Sequence, residues 1–127
     1  MHLVVVAAVI ERDGRVLVTL RPRGTHLEGH WEFPGGKCEA GESHAEALAR
    51  ELREELAVDA TVGPLVHAVT HRYPARTVEL HFYACTCSGD PRPMLGQQMR
   101  WATRAELATL PFPEADADLI ARLTAGG

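Results

Sequence analysis

Glu51, Glu54 and Glu55 fall within "RELREEL" in the relation i, i+3, i+4. On a helix, that spacing puts their carboxylates on one face with roughly 5 to 6 Å between Cβ atoms, and crowded like charge weakens a helix unless a cation gathers it. Three oxygens on one face, with a loop carbonyl nearby, suit a hard divalent ion such as Mg²⁺, which keeps several waters and also meets substrate phosphates. The bland alternative pairs these glutamates with Arg50 and Arg53 on the surface, at about 0.3 to 0.5 kcal/mol per pair. Two features favour the cation. The acidic face borders the apolar stripe of the helix instead of opposing it. The helix is also introduced by Gly35-Gly36, a pair whose backbone a ligand can approach closely.

The stretch "GGKCEAGES", Gly35 to Ser43, nearly forms a phosphate-binding loop, but Glu42 stands where its lysine belongs. A bare carboxylate and a phosphate about 4 Å apart repel by roughly 4 kcal/mol at an effective dielectric of 20. An acid in this loop makes sense when the anionic substrate is met through a metal.

Several elements must position these groups. Two valine-rich runs around Asp13-Gly14 predict an antiparallel hairpin, because that dipeptide accepts the positive φ angles of a tight turn. Ser43 followed by Glu46 is a capping box opening a helix to about Leu56, with Ala45, Leu48, Ala49, Leu52 and Leu56 as its apolar stripe. "PLVHAVTHRY" and "RTVELHFYACTC" predict two more strands around a turn at Pro74, the second with Val78, Leu80, Phe82 and Ala84 on one face and Glu79, His81 and Tyr83 on the other. Thr103 and Glu106 repeat the capping-box spacing before a short helix, and Leu119, Ile120 and Leu123 mark the core side of a last one. The sum is an α/β fold, a mixed sheet with the long helix on one side and the terminal helix on the other.

Bulk properties narrow the function. A chain of 127 residues, 46% hydrophobic and 24% charged, is expected to form one soluble domain over residues 1–127. Its net charge of -4 disfavours nucleic acid polymers and anionic membranes as partners. Met1 to Ile10 reads as a strand and not as a leader or membrane span, so a cytoplasmic protein is expected. Cys38, Cys85 and Cys87 lack zinc spacing and read as reduced thiols. His26 and His30 in "HLEGH" are a poor zinc pair, because the glutamate is misplaced and Gly29 weakens the helix that the motif requires.

Gly36, five residues, Glu42, seven residues, then "RELREELAV" resembles the Nudix box, departing only at Ala57, where the family has glycine. The preceding "WEFPGGK", the length and the order of elements are similar to the MutT-like branch, so the resemblance covers nearly the whole chain. It implies a Nudix-type α/β/α sandwich and a Mg²⁺-dependent pyrophosphohydrolase of nucleoside triphosphates, with Mn²⁺ as a substitute ion. A monomer acting on a small-molecule nucleotide is expected. By resemblance, Glu51, Glu54, Glu55 and the Gly36 carbonyl hold metal, and Arg50 orients the glutamates through Glu42. Arg21 and Arg76 match arginines that hold the nucleotide, although each also reads as a surface charge at a strand end, and Phe33 reads either as packing on the base or as a core residue. Leu95 occupies the position of a further glutamate in the branch, which leaves the general base unassigned.

Asp116 stands where MutT has asparagine, although Asp116 and Asp118 also suit the start of the last helix electrostatically. An ionised carboxylate only accepts hydrogen bonds. Asp116 then favours a base presenting an amino group, such as cytosine or the N1–H and N2 edge of guanine, and it reads a guanine O6 only if burial keeps it protonated. Sanitation of oxidised nucleotides such as 8-oxo-dGTP is the leading expectation, with CTP or 5-modified dCTP hydrolysis beside it. A non-catalytic nucleotide sensor is a weaker third, since all the box acids are present.

Overall fold

The computed structural model describes residues 2–25 and 27–125. His26 lies outside these; His30 donates a ring N–H to the Leu27 carbonyl at 3.1 Å.

β1 (His2–Arg12) and β2 (Arg15–Leu20) form the expected hairpin. Asp13 (φ 51°) and Gly14 (φ 75°) both take the left-handed conformation that suits the twist of a two-residue hairpin turn. The chain continues through β3 (Trp31–Glu32), β4 (Gly35–Lys37), α1 (His44–Leu56), β5 (Asp59–Tyr73), β6 (Arg76–Ser88), β7 (Met99–Thr103) and α2 (Arg104–Leu107). A 3-10 turn (Glu114–Asp116) then leads into α3 (Ala117–Ala125).

The sheet runs β3-β2-β1-β6-β5, with β4 added to β1 and β7 to β2. β1 and β6 are parallel, from His2 opposite Thr77 to Ile10 opposite Cys85, and the remaining pairs are antiparallel. The expected mixed sheet is therefore present. β1 is an unbroken apolar run because both of its faces are covered. Val6, Ala8 and Ile10 pack under Leu48, Leu52 and Leu56 of α1. Ala7 and Val9 face the other way, into a second core with Phe33, Phe82, Leu119 and Leu123. A helix thus covers each face of the sheet.

Some local expectations are corrected. On α1 the buried residues are Ala47, Leu48, Leu52 and Leu56; Ala45 is exposed and Ala49 only half-buried, so the stripe sits one position round from the expected one. β5 begins at Asp59 instead of Pro64, because residues 59–62 pair with residues 85–88 of β6 before irregularities at Val62/Leu65 and Leu65/His67. Gly35-Gly36 is not a free loop. It is β4, hydrogen-bonded along β1 with Ala7 opposite Gly35 and Val6 opposite Gly36.

Both capping boxes form as expected, at Ser43/Glu46 and Thr103/Glu106. Cys38, Cys85 and Cys87 are free thiols, and burial pushes the Cys85 thiol up to about 11. Among the described residues, no helix is long and apolar enough to cross a membrane.

Candidate active site

Helix geometry decides where the acids go. At 100° per residue, Glu51 and Glu55 fall among Leu48, Leu52 and Leu56, on the side of α1 that meets the sheet, whereas Glu54 falls at its outer edge. The Glu51 side chain is 16% exposed and that of Glu54 is 58% exposed.

The strand facing this side of α1 has no room for side chains. A Cβ on Gly35 would stand 2.0 Å from the Val6 carbonyl oxygen, and one on Gly36 would stand 2.4 Å from the Glu51 carboxyl carbon. The close approach expected of these glycines is therefore to β1 and to Glu51. Their absent side chains let a buried carboxylate lie against main chain, and the Gly35 amide donates to Glu55.

Arg50 organises the outer acids. Its Nε and Nη2 donate to the two carboxylate oxygens of Glu42 at 2.7 and 2.9 Å, its Nη1 donates to Glu51 at 3.0 Å, and its Nη2 also meets the Lys37 carbonyl at 3.1 Å. Glu54 pairs with the same guanidinium at 3.5 Å and Glu39 at 3.8 Å. The bidentate contact with Arg50, helped by the Glu39 amide, pulls the Glu42 carboxyl down to about 2. Arg50 is itself held further above its ordinary value by these partners.

Behind this hub lies a cleft of about 370 Å³. Its walls include Glu51, Glu55 and Gly36 from the α1–β4 contact, Arg21 at the end of β2, and Tyr73 and Arg76 at the β5–β6 turn, with Phe33 and Asp116 also lining it. The structure thus gathers Arg21, Phe33, Gly36, Glu51, Glu55, Arg76 and Asp116 around one space, and leaves Arg50 and Glu54 at its outer edge. Phe33 is also a core residue, 4% exposed, stacked on Phe112 with centroids 5.4 Å apart and edge-on to Phe82 at 5.7 Å. Arg76 lies over the Tyr73 ring at 5.9 Å. Leu95 is 66% exposed and stands outside the cleft lining.

Sequence reasoning missed Glu32. This residue also lines the cleft and accepts from Arg21 Nη1 at 3.2 Å. The Trp31 amide donates to the Pro111 carbonyl at 2.7 Å, tying β3 to the segment that leads into Asp116. The only signal available was an acid set between two aromatic residues in "WEF".

The cleft acids perturb one another. Glu55 is raised to about 8, first by burial and then by the charges of Glu51 and Glu32, against the opposing Gly35 amide and Arg21. Glu51 and Glu32 are also raised, chiefly by burial. Asp116, 6% exposed, is raised to about 7 by burial and by Glu32. Carboxyls in this condition must be neutralised by a proton or by a cation. Among the described residues, no three ligand groups already converge on one point, and Arg50 takes up Glu51 and Glu54. The donor set is nevertheless the right chemistry for a hard cation: two carboxylates one turn apart, both raised by burial and Glu55 further by the charge of Glu51, beside a main-chain strand without side chains.

A model of the NUDIX domain family matches residues 5–122. The chain belongs to that family. A CTP pyrophosphohydrolase of Escherichia coli is 40% identical over 117 residues, covering 91% of this chain and 87% of the relative. An 8-oxo-dGTP diphosphatase of Haemophilus influenzae is 36% identical over 121 residues, covering 94% and 89%. The crystal structure of a MutT NUDIX hydrolase from Burkholderia pseudomallei superposes with a TM-score of 0.85 at 28% identity, covering 95% of this chain and 97% of that one. This Nudix chain is thus a hydrolase of the MutT-like branch, and Nudix hydrolases use a divalent metal.

Proposed function

We propose that the chain is a Mg²⁺-dependent nucleoside triphosphate pyrophosphohydrolase, converting (d)NTP and water to (d)NMP and pyrophosphate, with Mn²⁺ able to substitute. The observation that carries this reading is the cleft whose lining brings together half-buried Glu51 and Glu55, buried Asp116, and the cationic Arg21 and Arg76. Glu51, Glu55 and the Gly36 carbonyl, joined by Glu54 from the outer edge, would hold the ion. When bound, it supplies positive charge against the charge on phosphate oxygens.

The remaining work belongs to the chain itself. Arg50 fixes Glu51 through one guanidinium nitrogen while Glu42 anchors the others. Arg21 and Arg76 give the nucleotide its cationic contacts, and Phe33 gives the base an apolar wall. Glu32, Glu51, Glu55 and Asp116 are the carboxyls lining the cleft, and we assign the proton leaving the attacking water to one of the first three.

At the base end, Asp116 raised to about 7 carries a proton in part of the population near neutrality. The protonated carboxyl donates to a purine O6. The ionised one accepts from a cytosine amino group. Sanitation of oxidised purine triphosphates is the reading we favour. CTP or 5-modified dCTP hydrolysis is the second, favoured by the likeness to the CTP pyrophosphohydrolase.

A panel of triphosphates assayed with Mg²⁺ separates the two, and equal slow turnover of every member rejects both. Absence of turnover for every triphosphate, with nucleotide binding retained, would leave only a nucleotide sensor.

A further inference from the structure

We propose that Gln97 is a positioning residue: through the main-chain carbonyl of Glu55 it fixes where that carboxyl enters the cleft. The inference rests on the assignment of Glu55 to the metal end of the site. Its own basis is the segment of residues 89–98, which lies between β6 and β7 and follows the end of α1.

The last carbonyls of a helix have no partner within it. Ala57 takes the left-handed conformation after α1 (φ 56°, ψ 39°), and its amide satisfies Arg53. The next carbonyls are met from outside. The Arg92 amide donates to Leu56 O at 2.8 Å and the Met94 amide to Glu55 O at 3.0 Å. Gln97 Nε2 donates to the same Glu55 oxygen at 3.2 Å, so this carbonyl receives two bonds from one segment.

Gln97 is itself held. Its Oε1 accepts the Leu95 amide at 2.9 Å, which orients the side-chain amide with its N–H toward the helix. At the far end of the segment, the Gln98 carbonyl accepts the Leu20 amide at 3.0 Å, one residue before Arg21. Residues 92–98 therefore strap the end of α1 to the end of β2. One end fixes Glu55, and the other fixes the strand that presents Arg21 to Glu32.

Glu55 and the residues of the strap are also distinct in exposure. Met94 is 53% exposed and Leu95 66% exposed, so no apolar packing of those side chains holds the turn in place. The side-chain bond of Gln97 joins the Arg92 and Met94 amides in connecting it to the helix. A small shift of the last turn of α1 moves a buried carboxylate against the Gly35 amide, and supporting groups of this kind alter metal affinity or activity by about 10- to 100-fold.

The test compares Gln97→Glu and Gln97→Met with Gln98→Glu. The first keeps the acceptor for Leu95 and loses the donor to Glu55, the second keeps the length without either bond, and the third controls for added charge. Mn²⁺ affinity is read by calorimetry, together with kcat, KM and thermal midpoint. Both Gln97 variants are expected to bind Mn²⁺ about 10-fold more weakly and to lose kcat by about 10-fold, with KM within about two-fold. Gln98→Glu is expected to stay within about two-fold in each. A lower thermal midpoint with unchanged Mn²⁺ affinity in both Gln97 variants overturns the proposal, since it describes a purely structural strap. Unchanged kcat in both, while Glu55→Gln abolishes turnover, also overturns it and leaves the proposed function standing. If Glu55→Gln itself retains turnover, the functional reading fails first.

Discussion

Glu42 and Glu55 are the same residue type, one at each side of Arg50, yet their carboxyls stand at about 2 and about 8. Glu42 meets a guanidinium with both oxygens near solvent. Glu55 is buried beside Glu51 and Glu32, with the Gly35 amide and Arg21 in partial opposition. The contrast divides the acids of the site: Glu42, on the outer side, is neutralised by a guanidinium that the chain supplies, Glu51 takes one nitrogen of the same group, and Glu55, on the inner side, is opposed only in part.

The largest expected effect breaks the inner side. Glu55→Gln or Glu51→Gln should lower kcat by at least about 10²-fold, with chelation of the assay giving the same silence, because either change removes the charge arrangement on which transition-state stabilisation depends. Steady-state kinetics with and without EDTA would show it, and full activity under chelation would remove the metal from the scheme.

Breaking the outer side should cost less. Arg50→Ala frees Glu42, Glu51 and Glu54 together, and a loss of about 10- to 100-fold in kcat is expected, as for other groups that orient metal ligands. Arg50→Lys should recover little of it, since an ammonium cannot make the paired contact with Glu42. Activity in Arg50→Lys equal to the parent would show that charge alone suffices.

Asp116 sharpens the comparison from the base end. Its folded-state value of about 7 lies above the ordinary aspartate value of about 3.9, so the folded protein holds this proton more tightly than the unfolded chain does. Stability contributed by that proton is intact below about pH 4 and is lost as pH rises toward 7, to a limit of about 4 kcal/mol. Asp116→Asn should therefore gain thermal midpoint over the parent as pH rises across that window. In the parent, purine turnover should fall relative to cytidine turnover over the upper part of the same window. A substrate ratio independent of pH would remove Asp116 from base recognition.

The smallest effect lies at the helix end. Ala57 sits at φ 56°, a region costing alanine roughly 1 to 2 kcal/mol, so Ala57→Gly should raise the thermal midpoint by a few degrees while leaving kcat unchanged.

What the sequence made legible follows from range. The Asp13-Gly14 turn, both capping boxes, the parity of β6 and the Nudix box are encoded in neighbours a few residues apart, and each is found in place. β3, β4 and β7 are five residues or fewer and exist because distant strands offer them partners, which no local period announces. Glu32 was missed for the same reason: its role comes from Arg21, Glu55 and Asp116, brought near by the sheet. The glycines before the helix were singled out from the sequence, but their pairing with β1 was not, since strand pairing is a long-range fact. Gathering seven of the expected residues around one cleft required the fold.

The clearance of 2.0 Å between a Gly35 Cβ and the Val6 oxygen has a practical consequence for anyone wishing to redirect this enzyme. The bottom of the binding space is welded to the central strand and offers no mutational freedom, whereas Leu27, Tyr73 and Arg76 border it from turns and strand ends. Directed evolution toward new nucleobases should concentrate its diversity on that upper border and hold the bottom constant.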